Sequence, residues 1–243
     1  MKQLKILAAM VAAALGLSVL IVGMGSHGGA PDAANGASAA TAGATQAALP
    51  WQIERLPDGR SRVLGLTLSP EGQSGASTLA DARAHWGPDT EIAVIAAPNE
   101  DGTLEAFVDP ANAGFVTGKL VITARLSPEA IRGIKSRSPK GEFMESTTRK
   151  FKIAAEDLSQ ALAAPITALG FIPQANLDEA TIVARFGEPA ERVRSNGHLT
   201  HFLYPALGLD IALDTEGKEI LQYVAPADFN RLAQPLRAAS TAQ

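Results

Sequence analysis

The sequence contains no cysteine, few aromatic residues (5%) and only four histidines. Without cysteine the chain can form no disulfide, no thiolate zinc site, no iron–sulfur cluster and no lipidated N-terminal cysteine. Four histidines leave little material for metal binding or acid–base chemistry, so we expect no metal and no cofactor. The net charge of −4 argues against a nucleic-acid partner, because affinity for phosphate requires a basic surface.

The apolar content, in contrast, is ordinary for a globular protein. Of the 243 residues, 46% are hydrophobic and 19% are charged. This balance excludes wholesale disorder and collagen-like or polar low-complexity chains. We therefore expect a packed core over most of the sequence.

Residues 1–24 are predicted to be a membrane anchor or a signal segment. Lys2 and Lys5 precede a charge-free run of nineteen residues from Ile6 to Met24. A helix of that length spans about 28 Å, close to the ~30 Å hydrocarbon core of a bilayer. We predict an uncleaved single span in the inner membrane, with a cleaved signal segment as the alternative. Because both lysines precede the run, the C-terminal part is expected to be periplasmic.

Residues 25–49 contain ten alanines and five glycines without a period. Interspersed glycine and Pro31 oppose a helix, so this stretch is predicted to be a flexible tether.

The remainder reads as an α+β fold made of two related units, residues 50–136 and 171–236, with a tail at 237–243. At an offset of 100 residues, 77–87 and 177–187 are both short helical stretches that end in an aromatic residue and glycine. Each unit is predicted to be this short helix followed by a three- to four-stranded antiparallel sheet, and the repeat indicates duplication.

Matching details extend the repeat. Thr78 and Asp178 are expected to cap the two helices, and Gly87 and Gly187 to end them in the left-handed conformation, with a positive φ. The side chains of Trp86 and Phe186 are expected to be buried in the cores of the first and second unit, respectively. Strands are predicted at 91–97, 103–109, 191–194 and 199–204. The apolar runs 114–126 and 209–224 follow, and they are predicted to turn back at Gly118-Lys119 and Gly217-Lys218, respectively. Helices that begin with proline are predicted to end the two units, at 127–131 and 225–229.

Residues 137–170 are interpreted as a basic connector and a helix. Leu158, Leu162, Ile166 and Leu169 have helical spacing, with a break or kink at Pro165.

The stretch 132–152 is strongly basic, with seven basic residues against two acids, whereas 71–110 has eight acids against one arginine. The basic stretch is a candidate contact for anionic lipid headgroups or for the acidic first unit of its own or a neighbouring chain. The alternative is a solvated linker. Its basic residues are Arg132, Lys135, Arg137, Lys140, Arg149, Lys150 and Lys152.

The second unit carries a family resemblance. Asp178-Glu-Ala-Thr-Ile-Val-Ala-Arg-Phe-Gly-Glu-Pro189, then Leu203-Tyr204, then Asp214-Thr-Glu-Gly-Lys218 resemble the SmpA/OmlA family of small bacterial outer-membrane lipoproteins. That family includes the smallest subunit of the β-barrel assembly machine. Used in tandem, the unit is similar in layout to the β-lactamase inhibitor protein. The resemblance implies an α+β fold and non-catalytic protein binding in the cell envelope, and it carries over no site residue.

No catalytic motif stands out, and we predict that the protein is not an enzyme. His198 and His201 are three residues apart, so on one strand they would point to opposite faces and be poor co-ligands. The sequence favours a membrane-anchored periplasmic module that binds another envelope protein. The alternatives are an envelope hydrolase or ligand-sensing protein with a site between the two units, and a structural spacer.

Overall fold

The computed structural model describes residues 49–138, 141–144, 148–195 and 197–240. This part of the chain is an α+β fold with mainly antiparallel strands, which confirms the predicted fold class at that level. Its helices are α1 (Leu79–Trp86), α2 (Pro128–Arg137), α3 (Leu158–Leu162), α4 (Glu179–Phe186) and α5 (Asn230–Ser240).

Most strands belong to one ten-stranded antiparallel sheet rather than to two separate sheets. They are β4 (Glu91–Ala96), β5 (Thr103–Ala113), β6 (Val116–Ala124), β7 (Glu142–Phe143), β8 (Arg149–Lys152), β9 (Ile166–Pro173), β10 (Glu191–Arg194), β11 (Leu199–Tyr204), β12 (Leu209–Asp214) and β13 (Ile220–Val224). The strand order is β10-β11-β12-β13-β9-β6-β5-β4-β8-β7. The adjacent pair β9 and β13 therefore joins the two predicted units edge to edge.

A smaller three-stranded sheet precedes α1 and was not predicted. It contains β1 (Glu54–Arg55), β2 (Ser61–Val63) and β3 (Leu66–Leu68). Leu66 and Leu68 are buried in the main core together with Leu79 of α1. This small sheet thus covers part of the large one.

The large sheet is packed on both faces. Tyr223 and Val224 are neighbours on β13, so their side chains point to opposite faces. Tyr223 lies in the main core, which also holds Leu79 of α1 and Ile182 of α4. Val224 packs with Phe229 and the residues of α5 in a second cluster. Helices α1 and α4 thus share one face, and α5 lies on the other.

The predicted helix ends are confirmed. The Thr78 side chain accepts a hydrogen bond from the backbone N–H of Asp81, and Asp178 accepts one from Thr181. Gly87 and Gly187 have φ values of 107° and 80°. The predicted left-handed conformation is nevertheless wrong, because their ψ values are extended and place both residues in a different region that is open essentially to glycine.

The predicted turn at Gly118-Lys119 is wrong. Strand β6 runs straight through these residues, and the chain turns earlier, at Gly114 and Phe115. A Cβ at Gly118 would lie 2.4 Å from the Ile172 carbonyl oxygen and 2.7 Å from the Phe171 ring. Glycine is needed there for close packing between strands, not for a turn. The turn at Gly217-Lys218 does connect β12 to β13.

The predicted helix across Pro165 is also wrong beyond its first turns. A 3₁₀ turn and α3 end by Leu162, and Ile166–Pro173 is strand β9 at the centre of the sheet. The expected boundary between residues 170 and 171 therefore falls inside a strand. In the basic connector, 142–143 and 149–152 form β7 and β8.

The two closing helices differ from each other. The first is α2, with Ser127 as its N-cap and Pro128 in its first turn, as predicted. At the second position Pro226–Asp228 is only a 3₁₀ turn, and helix α5 begins at Asn230.

The predicted anchor (1–24) and all but the last residue of the tether lie outside the described residues. Within the described part of the chain, no helix has both the length and the apolar character needed to cross a membrane.

Candidate functional site

The principal candidate site is a groove where the two predicted units meet, which we call the junction groove. Its volume is about 580 Å³, within the range of ligand-binding clefts. It lies between α4, the ends of β6 and β9, and the N-terminal segment of the folded part. Its lining residues are Pro50, Trp51, Phe115, Val116, Thr117, Phe171, Pro173, Gln174, Ala175, Asn176, Leu177, Thr181, Ile182, Arg185, Phe186 and Leu221.

Three side chains in contact, Phe115, Trp51 and Arg185, lie at the mouth of the groove. The rings of Trp51 and Phe115 have centroids 5.7 Å apart and are tilted by 54°. The Arg185 guanidinium carbon lies 5.2 Å from the centroid of the Trp51 ring. Phe115 is nevertheless 79% exposed, so its ring and that of Trp51 form contiguous apolar surface beside the cleft.

Trp51 is held in place from the interior of the sheet. The hydroxyl of Tyr223, a buried residue of β13, donates a hydrogen bond to the carbonyl oxygen of Pro50. Burial raises the pKa of the Tyr223 phenol well above its ordinary value, so the hydroxyl keeps its proton as a donor. The sheet therefore fixes the N-terminal segment beside the groove.

Helix α4 is fixed at both ends. Asp178 caps its first turn, and side-chain hydrogen bonding to Thr181 lowers the pKa of this carboxyl. At the other end, the Tyr204 hydroxyl donates to the carbonyl oxygen of Gly187 at 3.0 Å, and the Tyr204 ring contacts Phe186. These contacts orient the face of α4 that carries Ile182, Arg185 and Phe186 toward the groove.

One rim of the groove is secured by a lysine from the β12–β13 turn. The Lys218 amine donates to the Gln174 carbonyl oxygen at 2.9 Å and to Asn176 Oδ1 at 2.6 Å. The linker between β9 and α4 is therefore fixed to the neighbouring turn.

The basic residues singled out from the sequence lie elsewhere, on and beside α2 and β8. Lys140 lies outside the described residues, and each of the other six has a partner within the chain. Lys150 Nζ lies 2.6 Å from Glu91 Oε1, and Lys152 Nζ lies 2.7 Å from Glu142 Oε1. The Arg149 guanidinium stacks 4.3 Å from the centroid of the exposed Phe143 ring.

The basic residues of α2 contact the β4–β5 turn and the 3₁₀ turn before α3. Arg132 forms an ion pair with Asp101, and Lys135 donates to the Asp101 carbonyl oxygen. Arg137 Nε donates to the buried Asp157 carboxylate at 3.0 Å, and this hydrogen bond lowers the pKa of Asp157. Part of the basic stretch thus packs on the acidic first half of its own chain, and its contact with a lipid or partner stays a prediction.

The two histidines have separate carboxylate partners. His198 Nδ1 lies 2.8 Å from Asp214 Oδ1, and this hydrogen bond raises the pKa of His198. His201 and Asp210 are a buried pair at 2.9 Å. Within the described ranges, no group of three or more His, Asp or Glu side chains is placed to hold a metal ion.

Glu105 on β5 is a buried acid outside the groove. Burial raises its pKa to about 7, and the Thr103 hydroxyl bonds to Oε1 at 2.8 Å. Oε2 has no hydrogen-bond partner in the described part of the chain. Its cross-strand neighbours are Ala93 and Thr123, so no second acid or base faces it across the ladder.

Sequence reasoning missed the residues that form the groove mouth. Trp51 follows the tether directly, and Arg185 lies within the helix that the repeat identified, but neither position signals contact with the other. Phe115 follows Gly114, whose positive φ makes the β5–β6 turn, and that turn was predicted four residues later. Comparison of the chain with protein-family models, curated proteins and solved structures finds no match.

Proposed function

We propose that the chain is a non-catalytic protein-binding module of the bacterial cell envelope. In this proposal residues 1–24 hold it in the inner membrane, residues 25–49 are a tether, and the folded part lies in the periplasm. The charge-free run after Lys2 and Lys5 supports the anchor and its orientation.

We also infer that the folded part arose by duplication of one helix-and-sheet unit, the layout that the SmpA/OmlA resemblance implies. The strand order supports this, since β6-β5-β4 and β12-β11-β10 lie on opposite sides of the β9–β13 pair. The matched caps Thr78 and Asp178 and the matched glycines Gly87 and Gly187 support it further. A duplicated sheet creates a seam, and the junction groove lies at that seam.

The observation that carries protein binding is the apolar mouth of the junction groove. Phe115 presents most of its ring to solvent, and Trp51 extends this surface into a cleft floored by Phe171 and Leu221. Exposed aromatic side chains beside a concave apolar surface are typical anchors of protein interfaces. The partner is expected to be another envelope protein.

The non-catalytic part of the proposal is supported by the titratable groups. His198 and His201 bond to Asp214 and Asp210, and none of the four residues lines the groove. Among the described residues that line the groove there is no acid and no histidine. A general base would therefore have to come from outside this lining.

A second candidate function is the sensing of a small ligand in the same groove. The observation that favours it is the volume of about 580 Å³, which suits a small molecule as well as a protein segment. Mass spectrometry of the purified native protein would detect a retained small molecule and so favour this alternative.

Site-specific photocrosslinking in intact cells tests the main proposal. A photoreactive side chain at position 115 or 51 should give a discrete protein adduct, whereas one at the exposed position Gln160 on α3 should not. Arg185→Glu should reduce the adduct at position 51. Equal adducts at all three positions, or none at 115 and 51, would contradict protein binding by the groove.

A further inference from the structure

The charge inside the junction groove has one sign. Of the described residues that line it, Arg185 alone is ionic, and the rest are apolar side chains with a few amides and hydroxyls. An apolar cleft with one cation favours an occupant that is apolar and carries one negative charge.

Arg185, like Arg149 over Phe143, contacts an aromatic ring rather than a carboxylate. Arg192 binds Glu179 and Glu188, and Arg237 binds Glu191, but Arg185 forms no ion pair with any described carboxylate. Its described contact is the face of Trp51. A cation–π contact uses no N–H donor, so the guanidinium keeps its N–H groups for binding a carboxylate.

The arginine is also oriented before any ligand arrives. Trp51 contacts both Phe115 and Arg185, and the adjacent Pro50 is bound by the buried Tyr223 hydroxyl. A cation already held in its binding position loses less conformational entropy on binding than a free surface arginine.

The exposed ring of Phe115 distinguishes a chain segment from a small molecule. A ligand confined to the cleft would leave this outward-facing ring largely uncovered, whereas a segment that leaves the cleft across its mouth would cover it. On the basis of the function proposed above, we propose that the groove binds a protein segment of apolar residues with one carboxylate, and that Arg185 binds this carboxylate.

Peptide binding to the full-length protein in detergent tests this inference, with tryptophan fluorescence or the anisotropy of a fluorescently labelled peptide as the signal. The probes are a five-residue peptide of leucine and phenylalanine with a central aspartate, blocked at both ends, and the same peptide with asparagine. A charge-assisted hydrogen bond is about twice as strong as a neutral one, so we expect the aspartate peptide to bind roughly tenfold more tightly.

Variants separate the contribution of the Arg185 charge to peptide affinity from that of the apolar surface. Arg185→Gln should abolish the preference for aspartate and leave the asparagine peptide unaffected, and Arg185→Lys should keep part of the preference. Arg132→Gln, which removes the same charge from α2, is the control and should change neither affinity. Phe115→Ser should weaken both peptides by a similar factor. Thermal melts of each variant verify that it is folded.

Several outcomes would overturn the inference. These are equal affinity for the two peptides, a preference that survives Arg185→Gln, and tighter binding of a free long-chain fatty acid than of the aspartate peptide. If neither peptide binds although positions 115 and 51 still crosslink to a protein in cells, the inference fails and the proposed function stands. If the crosslinks are absent as well, both fail.

Discussion

Gly87 and Gly187 end their helices with positive φ and extended ψ, a backbone region that side chains strongly disfavour. A Cβ at either position would meet no atom within 4 Å, so the cost of a substitution comes from backbone strain alone. We expect Gly87→Ala and Gly187→Ala each to lower the free energy of unfolding by about 1–2 kcal/mol.

Urea denaturation of the two variants measures this effect. Gly197→Ala is a matched control, because Gly197 also has open space around its Cβ position but no positive φ. If either helix-terminal variant is as stable as the control, the assigned backbone conformation is wrong at that position.

Glu105 gives the protein a pH dependence opposite to that of an ion-paired acid. Its pKa is about 7 in the folded state, above the ordinary value of 4.5, so the native state holds the proton after the unfolded state has lost it. The free energy of unfolding should therefore fall between about pH 4.5 and 7, by up to about 3 kcal/mol from this group.

Comparison with Glu105→Gln isolates this contribution. The amide should be more stable than the wild type at pH 8 and similar to it at pH 4.5 in urea melts. A wild-type-minus-variant difference that does not change between these pH values would contradict the buried neutral acid.

Two glycines on paired central strands give opposite predictions. At Gly118 an added Cβ would collide with the Ile172 carbonyl oxygen and the Phe171 ring, whereas at Gly170 the nearest atom would be Val121 Cβ at 3.8 Å. We expect Gly118→Ala to destabilise the fold by about 1–3 kcal/mol through overpacking, and Gly170→Ala to be tolerated.

Denaturant melts of both variants measure the difference. Equal stability of the two would show that β6 does not approach β9 as closely as described.

The sequence predicted elements whose signals are local. Residue types at fixed spacing predict the caps at Thr78 and Asp178 and the helix that begins at Pro128. They also predict most strands of the large sheet. Strand β9 was misread because Leu158, Leu162, Ile166 and Leu169 keep a helical spacing across two different elements. A strand buried on both faces has no alternating pattern, so its apolar run resembles a buried helix.

The junction groove was predictable only in outline. A site between the two units was one of the expectations, but its side chains come from segments far apart in the sequence. The contact of Trp51 with Arg185 joins positions 134 residues apart, and Tyr223 bonds to a residue 173 positions away. Side-chain contacts of this range depend on the sheet order, and the sequence signals for β9 did not reveal that order.

A continuous sheet predicts that the folded part unfolds as one unit. Strand β9 pairs with β6 of the first half and with β13 of the second, so neither half keeps a complete sheet when the other unfolds. In the variant Trp86→Phe, the remaining Trp51 reports on the groove mouth. In the variant Trp51→Phe, the remaining Trp86 reports on α1. In each variant, the fluorescence transition should have the same urea midpoint and slope as circular dichroism of that variant.

The control for this experiment is the wild type, in which both tryptophans contribute. Two separated transitions would indicate units that fold independently, and the shared sheet would then be wrong.

The central position of β9 has a consequence for synthesis. Strand β6 ends at Ala124, but its neighbour begins only at Ile166, and the other neighbour of β9 begins at Ile220. Because a ribosome makes the chain from its N-terminus, the nascent protein first presents the open backbone edge of β6 and then that of β9. Open edges pair readily with other chains, so aggregation is the main hazard until the last strand emerges. A chaperone that covers strand edges would therefore raise the yield of folded protein more than a faster-folding variant of either half.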